Sequence, residues 1–368
     1  MNVTFPFGLP GSATLYLALL LATLALHLVL MSYVLAGAAW LVFGQVRRPA
    51  TETPIGPSAV AFSVGEALLD WLPFGLGAAI TAGVAPLLFI QVLYKQNFYS
   101  ANLLLFHRWM AVVPVLIVAF YLLYLNKTPS AARWPAVLQR AIRFLALAGF
   151  AFVGYSWTEN HILSLQPHAW PAQYQSQSLV FRDPAIIPRL GVWAFGAPPL
   201  MATIVVWQAR RATKLGMRLD AGAVRLLAGV AMGGLLAMMA CAAWYAPWLD
   251  DAAAGALTGA FGLPYVMVAA LGVAVQLGCW RRLWRLGSIC TRSLGLTSAA
   301  AAATVLSLCA LREVIRLASL DDERIFAHVD RVAESGGLLA FLGFFALNAA
   351  LIAYCVWIVS KRLAVERE

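Results

Sequence analysis

The feature that most constrains this chain of 368 residues is its series of uninterrupted apolar runs. Each run is about 18 to 28 residues long, enough for an α-helix to cross the hydrocarbon core of a bilayer. Hydrophobic residues make up 62% of the sequence and charged residues 11%, about half the charged fraction that is usual in a soluble domain. The sequence therefore predicts an all-α, polytopic membrane helix bundle.

Alternation of apolar runs and polar breaks predicts about nine transmembrane helices. The sequence shows no repeat of fixed period, and no low-complexity linker or soluble domain separates the predicted helices. Residues 1–368 are therefore expected to form a single bundle. The first run is too long for a signal peptide and is expected to remain as the first helix. The predicted spans are 14–43, 71–94, 105–126, 138–157, 188–209, 223–246, 256–280, 296–316 and 336–361.

The basic residues predict the orientation of the bundle. With the N-terminus outside and the C-terminus inside, the inner connections hold 18 of the 26 lysines and arginines, as the positive-inside rule requires. The net charge of +10 then reflects topology, and no nucleic-acid partner is predicted. The five cysteines form no CxxC pair, so free thiols are expected rather than disulfides or a zinc site.

Small residues recur at every fourth position on the second and sixth predicted spans. Such stripes let helix backbones approach closely inside a membrane, so they predict helix packing rather than a ligand site. The two stripes are Gly75, Ala79 and Gly83, and Gly229, Gly233 and Ala237.

His27 lies near the middle of the first predicted span, with no acid on the same helix. A neutral imidazole at this depth can ligate a haem iron or belong to a proton path, and it can equally donate to a carbonyl of a neighbouring helix. No predicted span carries an acid near its middle, which argues against a proton pump or an ion-coupled carrier.

Two basic groups stand at predicted outer ends of helices. His107 and Arg108 begin the third span, where they are either headgroup anchors or donors to a quinone or a cofactor carboxylate. Arg312 and Arg316 share one face of the eighth span, where they suit an anion such as a haem propionate or act as snorkelling anchors.

The longest outer connection, about 158 to 187, holds a third group. Its members Glu159, His161 and His168 are candidates for proton carriers or ligands at the mouth of the bundle. The alternative is a loop that only caps the helices.

Three short stretches carry a family resemblance. They are His27 with Gly37, FGLGAAITAGVAPLLF followed by NFYS, and LQPHAWP leading to DPAIIPRLGVWAFG. With nine helices and an outer N-terminus, the chain resembles subunit I of the cytochrome bd-type quinol oxidase superfamily, in the branch associated with multihaem c-type cytochromes. The resemblance implies a b-type haem with His27 as its metal ligand, a quinone, and an outer-side c-type cytochrome or iron–sulfur partner. It also implies a multi-pass subunit of a respiratory or other electron-transfer complex in the bacterial inner membrane.

The departures from this family indicate a derived subunit. Trp193 stands where the family has a haem-ligating histidine, and the third span lacks the glutamates of the oxygen-reducing members. The connection after the sixth span is short where the family has a long quinol-oxidising loop. Oxygen reduction is therefore not expected. The alternatives are a cofactor-free anchor subunit and a transporter, which the absence of an inverted repeat disfavours.

Overall fold

The computed structural model describes residues 11–44, 60–213 and 216–320, and thereafter 326, 328–334, 337, 339–347, 350, 351, 354 and 357. The chain divides into two compact units, residues 18–321 and residues 1–17 with 322–368. Every site described below lies within residues 18–321. That residues 1–368 form a single bundle stays a prediction.

Helices account for nearly all of the described chain, and two short strands, β1 and β2, pair in parallel. In chain order the elements are α1 (Gly11–Phe43), β1 (Val60–Ala61), α2 (Val64–Leu93), α3 (Lys95–Leu104), α4 (Phe106–Lys127), α5 (Pro129–Ala132), α6 (Ala136–Ser164), α7 (Trp170–Ser176), α8 (Ile186–Ala212), β2 (Met217–Arg218), α9 (Ala221–Tyr245), α10 (Asp251–Thr258), α11 (Gly262–Leu286), α12 (Thr291–Leu320) and α13 (Val329–Glu334).

Eight of the described helices are long and apolar enough to cross a membrane, namely α1, α2, α4, α6, α8, α9, α11 and α12. They coincide with the first eight predicted spans, which confirms the helical membrane bundle. Of the ninth predicted span, 336–361, the structure describes residues 337, 339–347, 350, 351, 354 and 357, and all of these are helical.

The predicted connection between the fourth and fifth spans is shorter in the structure than the sequence suggested. Helix α6 continues to Ser164, and its last two turns are buried despite their polar sequence TENHILS. Glu159 and His161 are therefore helical residues inside the bundle, and the prediction that they belong to a loop is wrong. The reason is tertiary: other helices supply the hydrogen-bond partners that a loop would have found in water.

Helix α8 packs closely on α9, and α11 packs closely on α12. Side chains from the C-terminal ends of α6, α9 and α12 meet residues from the N-terminal ends of α4 and α8. This convergence places those ends of the helices at one side of the bundle, as the predicted alternation of spans requires.

The small-residue stripe on α2 packs as predicted. A Cβ at Gly75 would lie 3.0 Å from the ring of Tyr33, and a Cβ at Gly83 would lie 2.8 Å from the ring of His27. Between them, Ala79 is buried. Close approach of α1 to α2 therefore depends on these small residues.

The stripe on α9 does not pack as predicted. A Cβ at Gly229 or Gly233 would meet nothing within 4 Å, whereas one at Gly234 would lie 2.8 Å from the carbonyl oxygen of Phe195 on α8. The packed face includes Gly234, one residue after the predicted Gly233. A small residue allows two helices to approach closely, but it does not determine which face of the helix makes the contact.

Candidate functional site

Buried charged residues gather at one end of the bundle, the end that the charge pattern predicts to be outer. Five residues singled out in the sequence lie here: Arg108, Glu159, His161, Arg312 and Arg316. They fall into two neighbouring groups. The Arg312 site comprises Tyr94, His161, Arg189, Arg312, Glu313 and Arg316, and the Arg108 site comprises Arg108, Phe152, Tyr155 and Glu159.

Glu313 is the acceptor at the centre of the Arg312 site. Its carboxylate is completely buried and accepts from Arg312 Nη1 at 2.5 Å, from Arg316 Nη1 at 3.2 Å and from the hydroxyl of Tyr94 at 2.8 Å. The Arg312 and Arg316 side chains are 12% and 4% exposed, so they face into the bundle rather than snorkelling to its surface.

Tyr94 follows the last residue of α2 and lies beneath Arg316, whose guanidinium carbon is 4.3 Å from the ring centroid. Burial, and then the negative charge of Glu313, raise the pKa of the Tyr94 phenol well above its ordinary value of 10.0. The phenol is therefore protonated at physiological pH and acts as a donor to Glu313.

His161 is held between two guanidinium groups. Its Nε2 lies 2.6 Å from Arg189 Nη2, and its Nδ1 lies 2.9 Å from Arg316 Nη2. A guanidinium only donates, and a neutral imidazole has a single acceptor nitrogen, so only one of these contacts is a hydrogen bond. Both ring nitrogens of His161 are therefore directed at guanidinium groups.

Arg189 is a member of this site that the sequence reading missed. It is 5% exposed and donates from Nη1 to the hydroxyl of Tyr245 at 2.6 Å. The sequence could have indicated this role, because Arg189 is the fourth residue of an apolar helix, where a charge is costly unless it pairs with another group. Its partners are on α6 and α9, and nothing local in the sequence indicates them.

The Arg108 site is an ion pair at the edge of this charged region. Arg108 Nε lies 3.0 Å from Oε2 of Glu159, and the two side chains are 18% and 0% exposed. The other carboxylate oxygen accepts from the backbone N–H of Phe181 at 2.7 Å, whereas Oε2 receives no hydrogen bond from the part of the chain that the structure describes. The guanidinium also lies over the rings of Phe152 and Tyr155, at 5.8 and 5.2 Å.

Two candidate residues lie outside both groups. His107 is exposed and stacks edge-on against Phe106, and His168 is exposed in a 3-10 turn, Pro167–Ala169. Of the three residues predicted to gather, Glu159 belongs to the Arg108 site, His161 belongs to the Arg312 site, and His168 lies in neither.

His27 makes the contact that a structural histidine would make. Its Nδ1 lies 2.9 Å from the carbonyl oxygen of Ala79, to which it donates, and the ring rests on Gly83. This hydrogen bond leaves the lone pair on Nε2, the arrangement that is usual for a metal-bound histidine. Within the described residues no group of three or more His, Cys, Asp or Glu side chains could hold a metal ion. The contacts of His27 in the described residues are therefore those of a structural histidine whose Nδ1 proton is fixed.

The eight spanning helices and the charged residues buried at one end define a multi-pass α-helical membrane protein. No protein-family model, curated protein or solved structure matches this chain. Membership of the cytochrome bd-type superfamily is accordingly a proposal, and residue roles must be argued from the geometry.

Proposed function

We propose that this chain is an integral membrane subunit of an electron-transfer complex and that it binds a quinone headgroup at the Arg108 site. The observation that carries the proposal is the buried Oε2 of Glu159, which has a cation 3.0 Å away but receives no hydrogen bond from the described residues. A buried carboxylate oxygen in this state has unused capacity to accept from a ligand hydroxyl.

The groups around Glu159 suit a quinol. Its hydroxyl can donate to Oε2, Arg108 can donate to the ring oxygen, and Phe152 and Tyr155 place aromatic rings beside Arg108. Arg108 is partly exposed at the side of the bundle, so a lipid-soluble ligand can reach it. Oxidation of a quinol releases two protons and two electrons. Glu159 can take one proton and the surrounding water the other, and the two electrons require one-electron acceptors, haems or iron–sulfur clusters, on a partner subunit.

Quinone binding is expected to weaken at least about tenfold in Arg108→Ala and in Glu159→Gln, the loss of roughly one charge-assisted hydrogen bond. Binding of a short-chain quinone to the protein in nanodiscs, followed by equilibrium dialysis, measures this. Lys127→Ala is the matched control, because Lys127 forms an exposed pair with Asp70 at the other end of the same helix. Equal affinity in all variants would rule out quinone binding at this site.

A b-type haem ligated by His27 is a second candidate, favoured by the hydrogen bond that fixes its Nδ1 proton. A bound haem would supply one-electron transfer, and the second axial ligand would come from outside the groups described here. The purified protein is expected to show a Soret band that His27→Ala loses and His107→Ala keeps. A colourless wild-type protein contradicts this candidate. A Soret band that persists in His27→Ala shows that a residue other than His27 ligates the haem.

A cofactor-free anchor subunit is the alternative, and Trp193 favours it. This residue lines a mid-bundle cavity of about 30 Å³ together with Ser32, Met238 and Gln276, and its indole cannot bind iron. An anchor subunit would be colourless and would bind no quinone. Copurification in gentle detergent would identify its partners, for which an outer-side c-type cytochrome or iron–sulfur protein is proposed.

A further inference from the structure

We infer that the Arg312 site holds one small monovalent anion of halide size, in the cavity between Arg312, Arg316 and His161. This inference is independent of the proposed quinone, because the residues that would bind the quinone belong to the separate Arg108 site. It rests on the charge of the site, on the donors that face the cavity and on the size of the cavity.

The Arg312 site carries an excess of positive charge. Among its described residues, three guanidinium groups face one carboxylate, that of Glu313. Among the described residues, Arg189 has the neutral partners His161 and Tyr245 and no carboxylate partner. Unneutralised charge away from water costs several kcal/mol per ion, so a site of this composition is expected to recruit a counter-ion.

His161 supports the same conclusion. One of its two nitrogens carries a hydrogen and yet faces a guanidinium that also presents hydrogens. An acceptor placed beside that nitrogen would accept hydrogen bonds from both the imidazole N–H and the guanidinium N–H, so that the two donors would no longer face each other without an acceptor. A chloride or bromide ion can do so because it accepts from several donors at once and has no hydrogens of its own.

A cavity suitable for such an ion lies beside these donors. Its polar lining consists of Tyr94, Asn97, Asn160, His161, Ser164, Arg312 and Arg316, and Ile90, Phe98, Trp157 and Leu320 complete the wall. The space available to the centre of a water molecule is about 10 Å³, about the room that one water-sized particle needs. The cavity therefore has room for a single small ion beside these donors.

The test uses the full-length protein purified in a chloride-free gluconate buffer. Addition of sodium bromide is expected to raise the unfolding temperature saturably by several degrees relative to sodium gluconate at equal ionic strength. Arg312→Met should lose this response, whereas Arg133→Met should keep it, because Arg133 is exposed at the other end of the bundle. An equal response to bromide and gluconate in the wild type overturns the inference, as does a full response in Arg312→Met.

Two further measurements keep the inference testable if Arg312→Met does not fold. Bromide should give an anomalous-scattering peak in the cavity of wild-type crystals, and the lack of a peak at saturating bromide overturns the inference. The acids Asp321, Asp322 and Glu323 follow α12 in the sequence and lie outside the described residues. In the variant that replaces them by Asn, Asn and Gln, an unchanged bromide response supports the inference. A bromide response that appears only in this variant shows that these acids are the counter-ions and overturns it.

Discussion

Replacing Glu313 by Gln is expected to destabilise the protein by about 3–5 kcal/mol, the cost of removing one partner from a buried ion pair. Glu313 is the one carboxylate that Arg312 and Arg316 contact among the described residues, and it also accepts from Tyr94. Glutamine keeps the shape of the side chain and one acceptor oxygen but removes the charge. Two guanidinium groups would then share a neutral amide in a largely buried site.

Labelling of the buried thiols of Cys279 and Cys309 by a reactive dye on heating measures this loss, in a background with Cys241, Cys290 and Cys355 replaced by Ser. At about 2–4 °C per kcal/mol, the midpoint should fall by roughly 6–20 °C. Glu66→Gln is the matched control, because Glu66 is exposed in the first turn of α2. If Glu313→Gln unfolds within a degree of wild type, the carboxylate does not stabilise the site.

The spanning helices could be predicted from the sequence because their signal is local. Length and apolarity alone decide whether a segment crosses a membrane, and eight predicted spans match described helices. The sequence-based prediction is wrong where a polar segment is buried in the bundle. The segment TENHILS is polar enough to be read as a loop, but it is the helical end of α6, because its partners come from other helices.

The candidate site was predictable only in part. Arg312 and Arg316 share a helix face, so their proximity could be predicted from spacing, and a basic pair suggested an anion. Their contacts could not: His161 is 155 residues away from Arg316, and Arg189 is 28 residues away from His161. Such pairings depend on how α6, α8 and α12 pack, which no spacing within one helix encodes.

Spacing within one helix also does not determine which face of that helix packs on a neighbour. In α9, Gly234 packs against α8, whereas a Cβ at the adjacent Gly233 would have no neighbouring atom within 4 Å among the described residues. Gly234→Leu is expected to cost about 3 kcal/mol, the upper end of what overpacking costs. Its Cβ would lie 2.8 Å from the carbonyl oxygen of Phe195 and 3.1 Å from Pro198 and Pro199, and α8 cannot yield there without moving its backbone. Gly233→Leu should be neutral or slightly stabilising, since its Cβ meets nothing within 4 Å and leucine is the better helix former.

Comparing Gly234→Leu with Gly233→Leu separates the effect of helix packing on stability from the effect of adding a leucine to α9. Both changes add the same side chain to neighbouring residues of one helix, so their hydrophobicity and helix propensity cancel in the comparison. The thiol-labelling midpoints of the two variants should differ by about 6–12 °C. If they unfold together, α8 and α9 do not approach at Gly234 as the structure has them. If Gly233→Leu is the less stable variant, the helix is rotated so that the stripe suggested by the sequence faces α8.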